Sequence, residues 1–70
     1  MAEVMSHRSS FIAQTSYEHD DGTLVIEFTD GKTFQYDDVP RGIYTALITS
    51  RSVGKAWHAL IKNRFVGEEV

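Results

Sequence analysis

The sequence predicts an α+β fold in which a three-stranded antiparallel β-sheet is followed by two α-helices packed on one face (β-β-β-α-α). Apolar residues alternate along the first half of the chain, glycine-containing turns separate these segments, and helical spacing begins at residue 39. With 70 residues and no cysteine, the chain should form one domain without disulfide or Cys-zinc support. This domain covers residues 1–70, and its ends, residues 1–5 and 68–70, are expected to be flexible.

The three predicted strands cover residues 10–17, 23–29 and 32–37. The first alternates loosely between short polar and apolar residues, which is typical of an edge strand. The second is the clearest, because its large apolar side chains share one side: Leu24, Ile26 and Phe28. Residues 20–22, Asp-Asp-Gly, form a turn sequence between the first two strands.

The turn between the second and third strands follows from the positions of the aromatic residues. A two-residue loop, Asp30-Gly31, would put Phe34 and Tyr36 on the face opposite the aliphatic side chains. A three-residue loop that begins at Thr29, with Gly31 left-handed in a G1 bulge, puts all of them on one face. We predict this second form, because burial of apolar area contributes about 25 cal/mol per Å². The predicted pairs are Phe28 with Lys32, Ile26 with Phe34, and Leu24 with Tyr36.

The first helix is predicted to run from residue 39 to residue 50 or 51. Asp37 or Asp38 can serve as its N-cap, and Pro40 suits the first turn because that turn does not need its missing N–H. Its apolar residues recur at helical spacing: Ile43, Tyr44, Leu47 and Ile48.

Ser52 is predicted to cap the second helix, and Gly67 to end it. Gly54 lowers helix propensity by up to about 1 kcal/mol relative to alanine, which suggests a close backbone approach or a tight junction between the helices there. The apolar stripe of this helix contains five residues: Val53, Trp57, Leu60, Ile61 and Phe65.

Charge is distributed unevenly along the chain. Residues 1–40 contain two basic and eight acidic side chains, a net charge of −6, whereas residues 41–70 contain five basic and two acidic ones, a net charge of +3. A local positive field can attract an anionic partner even when the whole chain is negative. An ordinary solvated helix surface is the alternative interpretation.

A long series of residues resembles the KTSC domain family over residues 6–65. The series comprises Ser9-Ser10-Phe11-Ile12, Tyr17, residues 23–28, Gly31, Phe34-Gln35-Tyr36, Val39-Pro40, Tyr44, Leu47, Ser52, Gly54 and Ile61. This family is named for the C-terminal domain of some lysyl-tRNA synthetases, and its members also occur as stand-alone bacterial or phage proteins. Its central Tyr-x-Tyr motif reads Phe34-Gln35-Tyr36 here, without the first hydroxyl. The resemblance implies RNA binding, by association with a tRNA enzyme, and no established activity.

The strongest candidate site in the sequence is the start of the second helix. A serine, a glycine and a lysine at a helix N-terminus present free N–H groups beside a cation, which favours phosphate. The predicted ligand-binding residues are Arg51, Ser52, Gly54, Lys55, Lys62 and Arg64, with Tyr36 as an aromatic support if it is exposed. Positions 51, 55 and 62 share a stripe on an ideal α-helix. For the aromatic residues, burial in the core is favoured over base stacking: Phe34, Tyr36, Tyr44 and Trp57.

We therefore predict a small non-enzymatic binding module for RNA, a nucleotide or another phosphate-bearing ligand. The alternative is a protein–protein interaction or oligomerisation module, such as a homodimer or a phage-derived regulator of a host protein. No catalytic residue, metal ligand or cofactor is predicted, because the histidines lack metal-ligand spacing and the aspartate pairs suit turns and caps: His7, His19, His58, Asp20-Asp21 and Asp37-Asp38. No apolar run reaches the roughly 18 residues of a membrane helix, and a cytoplasmic location is expected.

Overall fold

The computed structural model describes residues 2–70, and in them five antiparallel strands form one sheet in the order β1-β2-β3-β4-β5. The strands are β1 Ala2–Ser6, β2 Ile12–Glu18, β3 Thr23–Phe28, β4 Thr33–Tyr36 and β5 Gly67–Glu69. Between β4 and β5 lie α1 Arg41–Ile48, α2 Val53–Trp57 and a π-helix, His58–Lys62. The predicted α+β class with an antiparallel sheet and two helices is confirmed, but the three-stranded sheet is wrong.

The two additional strands are the edges of the sheet and occupy the chain ends for which we expected flexible segments. β1 pairs with β2 along its whole length, so β2, expected at an edge, lies inside the sheet. β5 pairs with β4, with Gly67 opposite Tyr36 and Glu69 opposite Phe34. Glycine and glutamate have low strand propensity, so β5 depends on the neighbouring strand for its conformation. Met1, also in the expected flexible end, lies outside the described residues.

The hairpin between β3 and β4 has the predicted three-residue loop. Gly31 has a φ of +94°, the Phe28 N–H donates to the Lys32 carbonyl oxygen at 2.8 Å, and the Gly31 N–H donates to the Phe28 carbonyl oxygen at 3.0 Å. Leu24 lies opposite Tyr36, and Ile26 lies opposite Phe34. The predicted register is therefore confirmed. The apolar side chains of both strands face the helices: Leu24, Ile26, Phe28 and Tyr36 are buried, and Phe34 is half-buried.

We expect Gly31→Ala to lower the free energy of unfolding by about 1–2 kcal/mol, because alanine is strained in the left-handed region. No atom lies within 4 Å of the added Cβ, so the effect comes from the backbone alone. Gly42→Ala is the matched control, since its Cβ also meets nothing within 4 Å but Gly42 lies in α1. This control should stabilise by about 0.5–1 kcal/mol. Urea denaturation measures both changes, and equal effects of the two substitutions would contradict the assignment of the turn.

The start of α1 differs from the prediction. Pro40 is the N-cap, and no side chain caps this helix, so the prediction that Asp37 or Asp38 does so is wrong. Val39 is buried, and its N–H donates to the Gly22 carbonyl oxygen at 2.9 Å. Pro40 is also extended, with φ −62° and ψ 147°, and the helix therefore begins too late for either aspartate to occupy the capping position.

The second helical segment begins as predicted and ends earlier. The Ser52 hydroxyl accepts a hydrogen bond from the Lys55 N–H at 3.3 Å, which confirms Ser52 as the cap. After α2 the chain continues into the π-helix and leaves it at Asn63. Gly67 therefore does not end the helix but begins β5.

The helices cover one face of the sheet, and the core lies between the helices and this face. From the helical segments the buried apolar side chains are Tyr44, Leu47, Val53, Ala56, Trp57 and Ile61. The predicted stripe of the second helix thus faces the sheet, with Leu60 and Phe65 half-buried at its margin. Across residues 2–70, no helix has the length and apolar character needed to cross a membrane.

Candidate functional site

An open cleft of about 350 Å³ lies where the β3–β4 hairpin, the π-helix and the start of β5 meet. Its size is at the lower end of the range for small-molecule sites. Most of its lining is aromatic: Phe11, Phe28, Phe34, Tyr36, Trp57 and Phe65. The charged lining residues are Asp30, Lys32 and Lys62.

The aromatic rings support one another around Phe28. Its ring centroid lies 5.1 Å from that of Phe11, 5.2 Å from that of Trp57 and 5.8 Å from that of Phe34. Phe28 is buried, whereas Phe34 is half-buried and Phe11 is 39% exposed. The cleft therefore has a fixed aromatic floor whose outer rings remain accessible for stacking.

Tyr36 and Trp57 meet through a buried hydrogen bond. The Trp57 indole Nε1–H donates to the Tyr36 hydroxyl oxygen at 3.2 Å. Only 3% of Tyr36 is exposed, and this burial raises the pKa of its hydroxyl, although the bond from Trp57 acts in the opposite direction. Tyr36 therefore carries a neutral hydroxyl at physiological pH. Its predicted core position is confirmed, so its ring is not an exposed stacking platform.

The lysines give the cleft a cationic side. Lys62 Nζ lies 5.8 Å from the centroid of the Trp57 ring, within cation–π range, and its side chain is exposed. Lys32 is the residue that precedes β4, and its backbone N–H donates to the Asp30 carboxylate at 2.9 Å. Two cations and one carboxylate therefore line the cleft, which suits a ligand with a negative group at its end.

The predicted site residues separate into two groups. Tyr36 and Lys62 line the cleft, and the others do not: Arg51, Ser52, Gly54, Lys55 and Arg64. The stripe prediction assumed a continuous α-helix, but the π-helix, with its i→i+5 bonding, lies between Lys55 and Lys62 and changes their angular offset.

A Cβ added at Gly54 would lie 3.5 Å from Cδ2 of Phe11, an ordinary contact. The backbone of α2 at this glycine therefore faces the side chain of Phe11 from the loop between β1 and β2, and no contact there is close enough to require a glycine.

Sequence reasoning missed six of the lining residues as site candidates: Phe11, Phe28, Asp30, Lys32, Phe65 and Gly67. The predicted pairing of Phe28 with Lys32 already put Lys32 on the core face, and this was the available signal. The sequence has no comparable signal for Phe11, because its position at the cleft depends on contacts with residues distant in sequence. Its ring centroid lies 5.1 Å from that of Phe28 and 5.2 Å from that of Trp57.

A second polar cluster joins β1 to the core. The Tyr44 hydroxyl donates to Glu3 Oε2 at 2.9 Å, and His19 Nε2 lies 2.9 Å from Glu3 Oε1. The hydrogen bond with His19, followed by that with Tyr44, holds the pKa of Glu3 below its ordinary value. Tyr44 is buried and stacks on Tyr17 at a centroid distance of 4.2 Å. This arrangement anchors an edge strand.

The remaining histidines are dispersed. His7 Nε2 lies 2.9 Å from Thr15 Oγ1, and His58 stacks on Phe11. In residues 2–70, no three side chains of His, Asp or Glu are grouped so that they could hold a metal ion.

Comparisons with known proteins agree with one another. The family model of the KTSC domain matches residues 8–65. Lysine–tRNA ligases from Trichormus variabilis and Nostoc punctiforme are 31% and 33% identical over 67 residues, which cover 96% of this chain and 12% of each ligase. A protein from Tsukamurella paurometabola is 32% identical over 57 residues, 81% of this chain and 85% of that protein. The crystal structure of a KTSC domain protein from Yersinia pestis has a TM-score of 0.90 and 27% identity, covering 100% of this chain and 99% of that chain.

Proposed function

The chain belongs to the KTSC domain family, and from this premise we propose that it is a non-enzymatic binding module for single-stranded RNA or a nucleotide. The observation that carries the proposal is the cleft, which combines accessible aromatic rings with Lys32 and Lys62. A base stacks on the half-buried ring of Phe34, and its phosphate lies beside the lysines. Stacking on an aromatic side chain contributes about 1–3 kcal/mol per base.

The distribution of charge supports binding at the cleft rather than on the open face of the sheet. Strand alternation places Glu18, Glu27 and Glu68 on the face opposite the core, whereas Glu69, which lies opposite Phe34, is on the same face as the cleft and its two lysines. A phosphate backbone is repelled by carboxylates, so the open sheet face is unfavourable for RNA. The curated relatives named lysine–tRNA ligases use a tRNA as substrate, and this chain matches 12% of their length. The charge distribution favours the cleft side, and the similarity to these ligases favours an RNA ligand.

The chemistry of the lining residues supports binding without catalysis. The ionisable groups among them are Asp30, Lys32, Tyr36 and Lys62. The Asp30 carboxylate stabilises the turn, because it accepts a hydrogen bond from the Lys32 N–H. The described lining has no serine, cysteine or histidine that could form a nucleophile–base pair.

We expect a mixed-sequence single-stranded RNA of eight nucleotides to shift amide resonances around Phe34 and Lys62. Because each phosphate contact on a single strand adds about 0.7 to the slope of log affinity against log salt, Lys32→Ala with Lys62→Ala should reduce that slope by about 1.4. NMR titration at about 50 and 200 mM salt measures both the location and the slope.

Arg51→Ala with Lys55→Ala is the matched control, because it removes the same charge from residues that do not line the cleft. If this pair abolishes binding and the lysine pair in the cleft does not, the site is at the start of α2. If the protein binds no RNA at either salt concentration, the proposal is rejected. A salt-independent complex with apolar hot spots would instead indicate the protein–protein interaction module.

A further inference from the structure

One hydrogen-bond donor beside the cleft is unused. An indole N–H can only donate, so in the bond between Trp57 and Tyr36 the tyrosine oxygen is the acceptor. A phenol also carries its own proton, and the structure shows no acceptor for that proton among residues 2–70. By contrast, the hydroxyls of Tyr17 and Tyr44 donate to the Val39 carbonyl oxygen and to Glu3. Tyr36 is therefore the tyrosine whose donor is available to a ligand.

The surroundings of this hydroxyl favour a directed interaction. Tyr36 is 97% buried by its neighbours, its side chain lines the cleft, and Trp57 fixes the hydroxyl oxygen from one side. The hydroxyl oxygen already accepts a hydrogen bond from Trp57, so a ligand that supplies an acceptor for the hydroxyl proton adds a second hydrogen bond at this group. A site built around such a donor discriminates against analogues that lack the acceptor.

We propose that the Tyr36 hydroxyl is a specificity-determining donor that selects ligands whose ring carries a hydrogen-bond acceptor. The carbonyl oxygens and unprotonated ring nitrogens of nucleobases are such acceptors. This inference rests on the proposed function, because it assigns the base edge to Tyr36 and the phosphate to the lysines. A ligand with an acceptor on its ring and an anion at the other end satisfies both.

The test compares two small probes, uridine 5′-monophosphate and phenyl phosphate. Both carry a ring and a phosphate, but only the uracil ring has carbonyl acceptors. We expect Tyr36→Phe to weaken uridine monophosphate binding by about 2- to 12-fold, the range for one hydrogen bond, and to leave phenyl phosphate binding unchanged. Tyr44→Phe is the matched control, because it removes a hydroxyl that bonds to Glu3 and does not line the cleft. It should change neither affinity.

Each outcome has a defined meaning. If the unsubstituted protein binds neither the probes nor the RNA, the proposed function fails, and this inference fails with it. If it binds uridine monophosphate and Tyr36→Phe binds it equally well, the inference is overturned while the function stands. An equal loss for both probes would show that the substitution distorts the cleft, and this also overturns the inference.

A second measurement serves if Tyr36→Phe does not fold. In protein labelled with ¹³C at tyrosine Cζ, the Tyr36 resonance reports the hydrogen bonding of its hydroxyl. We expect uridine monophosphate to shift this resonance and phenyl phosphate to leave it in place. Equal shifts with both probes would overturn the inference.

Discussion

Replacing Trp57 by alanine is expected to lower the free energy of unfolding by about 3–5 kcal/mol. The indole is 9% exposed and packs edge-on against Phe11 and Phe28, with centroid distances of 5.2 Å in both cases. It also donates to the Tyr36 hydroxyl, so the substitution removes both apolar packing and a buried hydrogen bond. A domain of this length has a stability of only about 0.05–0.15 kcal/mol per residue. The expected loss is therefore a large fraction of the total.

Urea denaturation followed by far-ultraviolet circular dichroism measures this loss, because Trp57 is the only tryptophan and its fluorescence disappears with it. Trp57→Phe is the control that separates the two contributions. It retains an aromatic ring but removes the N–H, and it should cost about 1 kcal/mol. A loss below about 1 kcal/mol for the alanine variant would contradict the central position of Trp57 between the helices and the sheet.

The β3–β4 hairpin could be predicted in detail because two local constraints agree. Side chains alternate with a period of two, and only one loop length puts Phe34 and Tyr36 beside Ile26. Gly31 supplies the left-handed residue which that loop requires. The same logic holds for the Ser52 cap, where a short polar side chain and a free N–H lie within four residues of one another.

The edge strands could not be predicted because their conformation depends on distant partners. β1 is held through Glu3, whose carboxylate bonds to His19 and Tyr44. The residues of β5 have low strand propensity, and the strand forms because it pairs with the edge of β4. The predicted N-cap of α1 was wrong for a related reason, because Val39 is held by a hydrogen bond to Gly22, which is distant in the sequence.

The cleft was partly accessible to sequence reasoning. Lys62 and Tyr36 were among the predicted site residues, and both line it. The site predicted around Ser52 was based on local charge and helix capping. The cleft instead combines residues from the loop between β1 and β2, the β3–β4 hairpin, α2, the π-helix and β5. The π-helix has no recognisable signal in the sequence, and such insertions into α-helices are frequent at functional sites.

We expect Gly67→Ala to detach β5 and to destabilise this edge by about 1–3 kcal/mol, the usual cost of overpacking. A Cβ at this position would lie 2.6 Å from Cε2 and 2.9 Å from Cζ of the Tyr36 ring, closer than real Cβ contacts. The ring is buried and its hydroxyl is bonded to Trp57, so it has little freedom to move. β5 has three residues, and the flanking Val66 is 86% exposed. We therefore expect β5 to detach from β4 while the Tyr36 ring keeps its position.

Amide hydrogen exchange tests which side yields. If β5 detaches, the Val70 N–H, which donates to the Thr33 carbonyl oxygen at 2.9 Å, should exchange about 5- to 150-fold faster, the equivalent of the stated energy. The amides that join β2 to β3 should keep their protection, because those strands lie inside the sheet. Combining Gly67→Ala with Tyr36→Leu is the control, since a smaller side chain opposite residue 67 should restore protection of Val70. Loss of protection throughout the sheet would instead mean that the ring moves and the core opens. In that case Gly67 is needed for the shape of the cleft itself, because Tyr36, Trp57 and Gly67 all line it.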